Sequence, residues 1–219
     1  MSGSGKDGSS GVGDGDVAGV PAMRAMLDGI PQHGTTLGEP EAKVTVVEYV
    51  DPQCPICKAF ANDVFPTLVQ DYVRPGKVRY EYRTLHFLDN PYPGLTDSQR
   101  GARYLNAAGF QDRMFDVTAL LYANQGQEGS GYLTSAYLAG LASAVPGLDA
   151  ARAARDAAGA KAQGLVATAD RLAVRDRVEG TPTVLVGPTG GTLAPVDAEA
   201  DALEVAPYAH AIDAALAAG

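Results

Sequence analysis

Residues 43–73 read KVTVVEYVDPQCPICKAFANDVFPTLVQDYV, and the fold is decided in this stretch. Lys43 to Val50 is a β-branched run without polar alternation, the pattern of a strand covered on both faces. Asp51-Pro52-Gln53 breaks it, and Cys54-Pro55-Ile56-Cys57 opens a helical pattern in which Phe60, Val64, Leu68 and Tyr72 are spaced by four. Pro66 lies inside that pattern and predicts a kink, because it has no N–H for the helix ladder. A C-x-x-C pair placed between an apolar strand and a helix is a redox signature. At the first end of a helix the backbone N–H groups lack internal partners and the dipole is positive. Both favour a thiolate at Cys54. Pro55 suits the first helical position, where its missing N–H is not needed. Cys57 lies one turn on, placed to attack a mixed disulfide at Cys54 and release the substrate. Cys54 is therefore the expected nucleophile and Cys57 the resolving thiol.

Other uses of two cysteines fit less well. A zinc site needs two further ligands, and the three histidines, His33, His86 and His210, are scattered with no H-x3-5-H spacing. A purely structural disulfide across so short a loop removes little entropy from the unfolded chain. Two cysteines cannot staple a disulfide scaffold, and 219 residues are enough to bury a core without one. No cofactor or metal is called for, since the two thiols themselves carry the electrons. With 26 acidic against 17 basic residues and a net charge of -9, the chain lacks the basic footprint of a nucleic-acid binder. No stretch approaches the ~20 apolar residues of a membrane span.

Outward from the dithiol, Arg74-Pro75-Gly76-Lys77 is a turn and Val78 to Leu85 an alternating second strand. After a Pro- and Asn-rich loop at 86–94, residues 96–176 carry almost no β signal and read as four or five helices. Strand signal returns at Thr183 to Val186, with a turn at 188–191 and a hairpin partner at 192–196. A helix over 200–218, interrupted or kinked at Pro207, closes the chain. The first twenty residues are mostly Gly, Ser and Asp and are expected to be disordered. Val20 to Ile30 carries a short helical pattern, with Met23, Met26, Leu27 and Ile30 at i, i+3, i+4 and i+7; residues 21–36 read as a short helix and a linker, and 37–219 as one folded domain. The tail holds no basic segment followed by an apolar one, so no signal peptide is read in it. A tether of this kind suits either a trimmed extracytoplasmic domain or an expression tag. Gly180-Thr181-Pro182-Thr183 stands at the entrance of the late strand, where local sequence is compatible with a cis or a trans proline.

The segments VTVVEYVDPQCPICKAF, VRYEYRTLHFL and VEGTPTVLVG, in this order and with a helical block after the second, resemble the thioredoxin superfamily. Within it they are similar to the Dsb-type (DsbA-like) thiol-disulfide oxidoreductases. The resemblance runs from about Leu37 to the end of the chain. It implies an α/β thioredoxin fold with an all-helical insertion, here about 96–176, between the second strand and the cis-proline strand. It further implies a cis Pro182, with Thr181 beside the dithiol as part of a substrate-facing loop. Glu48, six residues before Cys54, matches the family's buried acidic residue under the active site. Such a carboxylate would take the Cys57 proton or oppose thiolate formation; the alternative is a solvated edge-strand glutamate. Pro55-Ile56 lacks the histidine often found after the proline in strong oxidases, which implies a less oxidising couple. Thr181, where some oxidases carry valine, points the same way or to broader substrate handling. The expected activity is disulfide formation or exchange in cysteine-containing exported polypeptides, outside the cytoplasm (periplasm, cell envelope or secreted), with a membrane tether in the full-length protein as one form. A membrane quinone-linked partner, of the vitamin K epoxide reductase-like type, would reoxidise the dithiol. The alternatives are a disulfide reductase or isomerase, a non-enzymatic peptide-binding or chaperone module using the groove at Pro182, and a glutathione-dependent transferase.

Overall fold

The computed structural model describes residues 17–198 and 201–218. The run at 43–50 becomes β3, Val44–Val50, with all seven residues buried. It pairs in parallel with β4, Val78–Thr84, and antiparallel with β5, Thr183–Pro188. Two short strands, β1 (Gln32–His33) and β2 (Thr36–Leu37), extend the β4 edge. β6, Ala194–Pro195, extends the β5 edge, giving the order β1-β2-β4-β3-β5-β6. β3 is thus central and walled on both faces, which is why it carries no polar alternation.

The period of two in β3 sorts its side chains between two cores. Val44, Val46 and Val50 face the larger one, shared with the helix α2 (Pro55–Asp63) and with Tyr208 and Ile212 of α9 (Ala206–Ala218). Val47 and Tyr49 face a smaller one, closed by Ala169 and Ala173 of α8 (Ala160–Asp176). Glu48 shares the parity of Val46 and Val50, so the strand aims its carboxylate towards α2. Pro66 acts as expected: α2 stops at Asp63, and a second short helix, α3 (Phe65–Leu68), continues into a π-helical turn at Val69–Val73. Between β4 and β5, residues 97–176 fold as α4 (Asp97–Gly109), α5 (Met114–Ala123), α6 (Ser135–Ser143), α7 (Ala150–Ala157) and α8. The chain is therefore an α/β thioredoxin fold with a helical insertion.

Three readings need correction. The supposed linker contains β1 and β2, which are too short to show a strand period in the sequence. The tail reading fails at its last residues: α1, Val20–Leu27, takes up the helical pattern over 20–30 and is docked through buried Met23 and Leu27. Arg74 donates to the carbonyls of Met26 and Asp28 at its end, at 2.8 and 3.1 Å. Ahead of it, Ala18 exchanges two hydrogen bonds of 3.0 Å with the Asn124 side chain. The tail reading for 1–16 lies outside the described residues. Pro207 does not interrupt the last helix; it sits in the first turn of α9, where a proline costs no helical hydrogen bond.

Candidate active site

β3 ends at Val50, and the Cys54 N–H donates to the Asp51 carbonyl at 3.0 Å, closing a turn that delivers Cys54 to the start of α2. Cys54 is the N-cap of that helix, with extended backbone angles of φ -67° and ψ 119°. Its Sγ accepts from the Cys57 backbone N–H at 3.3 Å, as a serine oxygen would in a conventional cap. The Cys54 thiol donates to the Thr181 carbonyl at 3.2 Å. The Thr181-Pro182 peptide is cis. Residues far apart in sequence thus meet at one sulfur. A crevice lined by Pro182, Thr183, Val184, Pro195, Val196 and Tyr208 runs beside the loop.

The two thiols differ sharply. Cys54 is 5% exposed and Cys57 fully buried. A hydrogen bond from Cys57, outweighing the opposing effect of burial and aided by the Thr181 side chain and by the backbone amides of Cys57 and Ile56, lowers the Cys54 pKa to about 6. Burial pushes the Cys57 thiol well up, and its bond to Cys54 adds to this. One sulfur is therefore a thiolate near neutral pH and the other stays protonated. Glu48 is buried, at 1% exposure, and accepts a hydrogen bond of 2.6 Å from the Tyr80 hydroxyl. Burial raises its pKa to about 8, against that bond and reinforced by Cys54. The solvated-edge alternative for Glu48 therefore fails. Pro55 and Ile56 form the exposed top of the motif, Ile56 at 47%, and Ile56 brings no side-chain donor to Cys54. His86 is not at the dithiol; its Nε2 lies 3.3 Å from Asp170 on α8. Among the described residues no group of three or more His, Cys, Asp or Glu side chains is placed to hold a metal.

The sequence reading missed a buried polar network under the turn. The Asp51 carboxylate accepts from the Ser98 hydroxyl (2.5 Å), the Gln53 N–H (2.9 Å) and the Leu88 N–H (3.0 Å). Gln53, 1% exposed, donates to Ser98 Oγ at 2.9 Å and accepts from the Gly129 N–H at 3.0 Å. The Tyr122 hydroxyl donates to the Asp51 carbonyl at 3.2 Å. Gln125 donates to the carbonyls of both Pro52 and Cys54, each at 3.1 Å. Ser98, Tyr122, Gln125 and Gly129 all belong to the helical insertion or its loops. Asp51 and Gln53 looked like turn residues, and only their position directly before Cys54 could have drawn attention to them.

A thiolate at a helix start, a protonated thiol one turn away and a buried carboxyl beneath them are equipped for thiol–disulfide exchange. A family model described as "Thioredoxin" matches residues 32–195. "Disulfide bond formation protein D" of Bacillus subtilis is 34% identical over 71 residues, 32% of this chain and 28% of that protein. "Probable disulfide bond formation protein D" of Bacillus cereus is 29% identical over 157 residues, 69% of this chain and 68% of its own. The crystal structure of oxidised BdbD from Bacillus subtilis superposes with a TM-score of 0.69 at 21% identity, covering 88% of this chain and 98% of that one. Among the described residues no helix is long and apolar enough to cross a membrane. The chain belongs to the thioredoxin family, and its likeness within that family is to the Dsb-type thiol-disulfide oxidoreductases.

Proposed function

We propose that this protein is a disulfide oxidoreductase that forms disulfides in cysteine-containing exported polypeptides, working outside the cytoplasm. The observation that carries the reading is the asymmetric thiol pair at the start of α2, with Cys54 facing the Thr181 carbonyl. In the oxidised protein a substrate thiolate attacks Cys54 Sγ, the Cys54–Cys57 bond breaks, and Cys57 leaves as a thiolate. Cys57, whose pKa burial holds high, takes a proton from Glu48, which is protonated below a pH of about 8. A second substrate thiolate then attacks the substrate sulfur of the mixed disulfide and expels Cys54 as a stabilised thiolate. The substrate loses two electrons and the dithiol gains them. An electron acceptor must then restore the Cys54–Cys57 bond, and a membrane quinone-linked partner meets that need. Thr181 and Pro182 offer backbone groups to an extended substrate segment, and the crevice beside them takes its side chains.

Oxidation of a reduced two-cysteine peptide tests the reading. The wild type turns over with a disulfide acceptor present, Cys54→Ser is inert, and Cys57→Ser accumulates mixed disulfides. A wild type with no activity in this assay and none in disulfide reduction overturns it. Alkylation trapping in cells sets the direction: Cys54 held mostly as disulfide supports oxidation, and mostly as dithiol a reductase.

A further inference from the structure

The dithiol turn is held from outside the thioredoxin core. We propose that Gln125 is a positioning residue for the dithiol, its side-chain amide holding the Pro52 and Cys54 carbonyls so that Cys54 Sγ meets the amides at the start of α2. This role rests on the function proposed above and deepens it.

The geometry is specific. A carboxamide nitrogen has two hydrogens, and both are used, one on each carbonyl at 3.1 Å. These carbonyls flank Gln53, so a single group bridges the turn at both sides of the residue before Cys54. Gln125 is itself held in place. It follows Asn124, the C-cap of α5, whose carbonyl accepts from the Tyr137 hydroxyl and whose side chain is bonded to Ala18. The bonds from Ser98, Tyr122 and Gly129 to Asp51 and Gln53 fix the remainder of the turn. A helix terminus stabilises charge only over its first turn, so a small withdrawal of Sγ from the Cys57 N–H, now 3.3 Å away, costs thiolate stability. The disulfide has no thiolate to stabilise, so the effect falls on the reduced form alone. A residue of the insertion thereby sets how strongly the couple oxidises.

Gln125→Ala removes the donors, and Gln125→Glu keeps the shape while turning an acceptor towards two carbonyls. Both are expected to raise the Cys54 pKa, followed by thiolate ultraviolet absorbance, by about one pH unit, with Glu the larger. Equilibration with glutathione should move towards the protein disulfide by up to roughly tenfold, making a weaker oxidant. Melting of the reduced form should fall more than that of the oxidised form. Gln127→Ala, an exposed change in the same loop, is the control. An unchanged Cys54 pKa in Gln125→Ala, with equal loss of melting temperature in both forms, shows a merely structural role and overturns the proposal. Should the wild type fail in peptide oxidation while Gln125→Ala still shifts the pKa, the functional reading falls and the positioning role stands.

Discussion

At the scale of single residues, the site separates three ionisable groups that a free peptide would leave ordinary. Glu48 is the clearest case. Its carboxyl is raised from 4.5 to about 8 by burial, so the folded state holds a proton that the unfolded chain releases. Stability must therefore fall as pH rises from about 4.5 to 8. Glu48→Gln keeps an acceptor for the Tyr80 hydroxyl and removes the titration. Denaturation across this range is expected to lose that slope, with a gain on the order of 3 kcal/mol at pH 7 and none below pH ~4. Turnover should drop, because the proton donor for Cys57 is gone; a variant equal to wild type in both respects would remove Glu48 from the mechanism. Ile56 is the other informative position. It stands exposed above Cys54 without a donor. Ile56→His should lower the Cys54 pKa further and make the couple more oxidising, read by equilibration with glutathione.

At the scale of elements, what matters is how β3, α2 and the insertion are joined. The insertion touches the dithiol turn through close packing as well as hydrogen bonds. Gly101 of α4 lies under Pro52, and a Cβ there would stand 2.7 Å from the Pro52 Cβ and 3.2 Å from a Leu133 methyl. Only a glycine lets the helix approach so near. Gly101→Val is expected to cost about 1–3 kcal/mol by overpacking and to displace the turn, so chemical denaturation and Cys54 alkylation rate should change together. Loss of stability with an unaltered alkylation rate would mean that the turn does not follow α4.

At the scale of the whole molecule, the two redox forms must differ in stability. The folded Cys54 pKa of about 6 lies below the reference value of 9.0, so its contribution is fully present above pH 9 and is lost as pH falls through 6. The oxidised protein has no such group. The melting temperature of the reduced form, relative to the oxidised form, should rise as pH goes from 6 to 9; a flat difference would contradict a stabilised thiolate. Much of this was legible from residues 43–73 alone. A β-branched run, a helix-opening Cys-Pro-Ile-Cys and a proline inside the following helix are local signals, each acting through its own backbone, and they were enough for β3, α2, the kink and the place of Cys54 at the helix start. Resemblance to a family supplied Thr181, Pro182 and the burial of Glu48. The hairpin of β1 and β2 stayed hidden because two-residue strands have no period to read. The docking of Ala18 ahead of α1 was masked by a glycine-rich composition. The network of Asp51, Gln53, Ser98 and Gln125 could not be read at all, because its bonds join residues up to about seventy positions apart. By itself the sequence determined which sulfur stands at the start of α2, where the helix end favours a thiolate. Only the tertiary structure decided how that sulfur is held, because the carbonyls, hydroxyls and amides around it belong to segments that meet only when the insertion closes over the sheet.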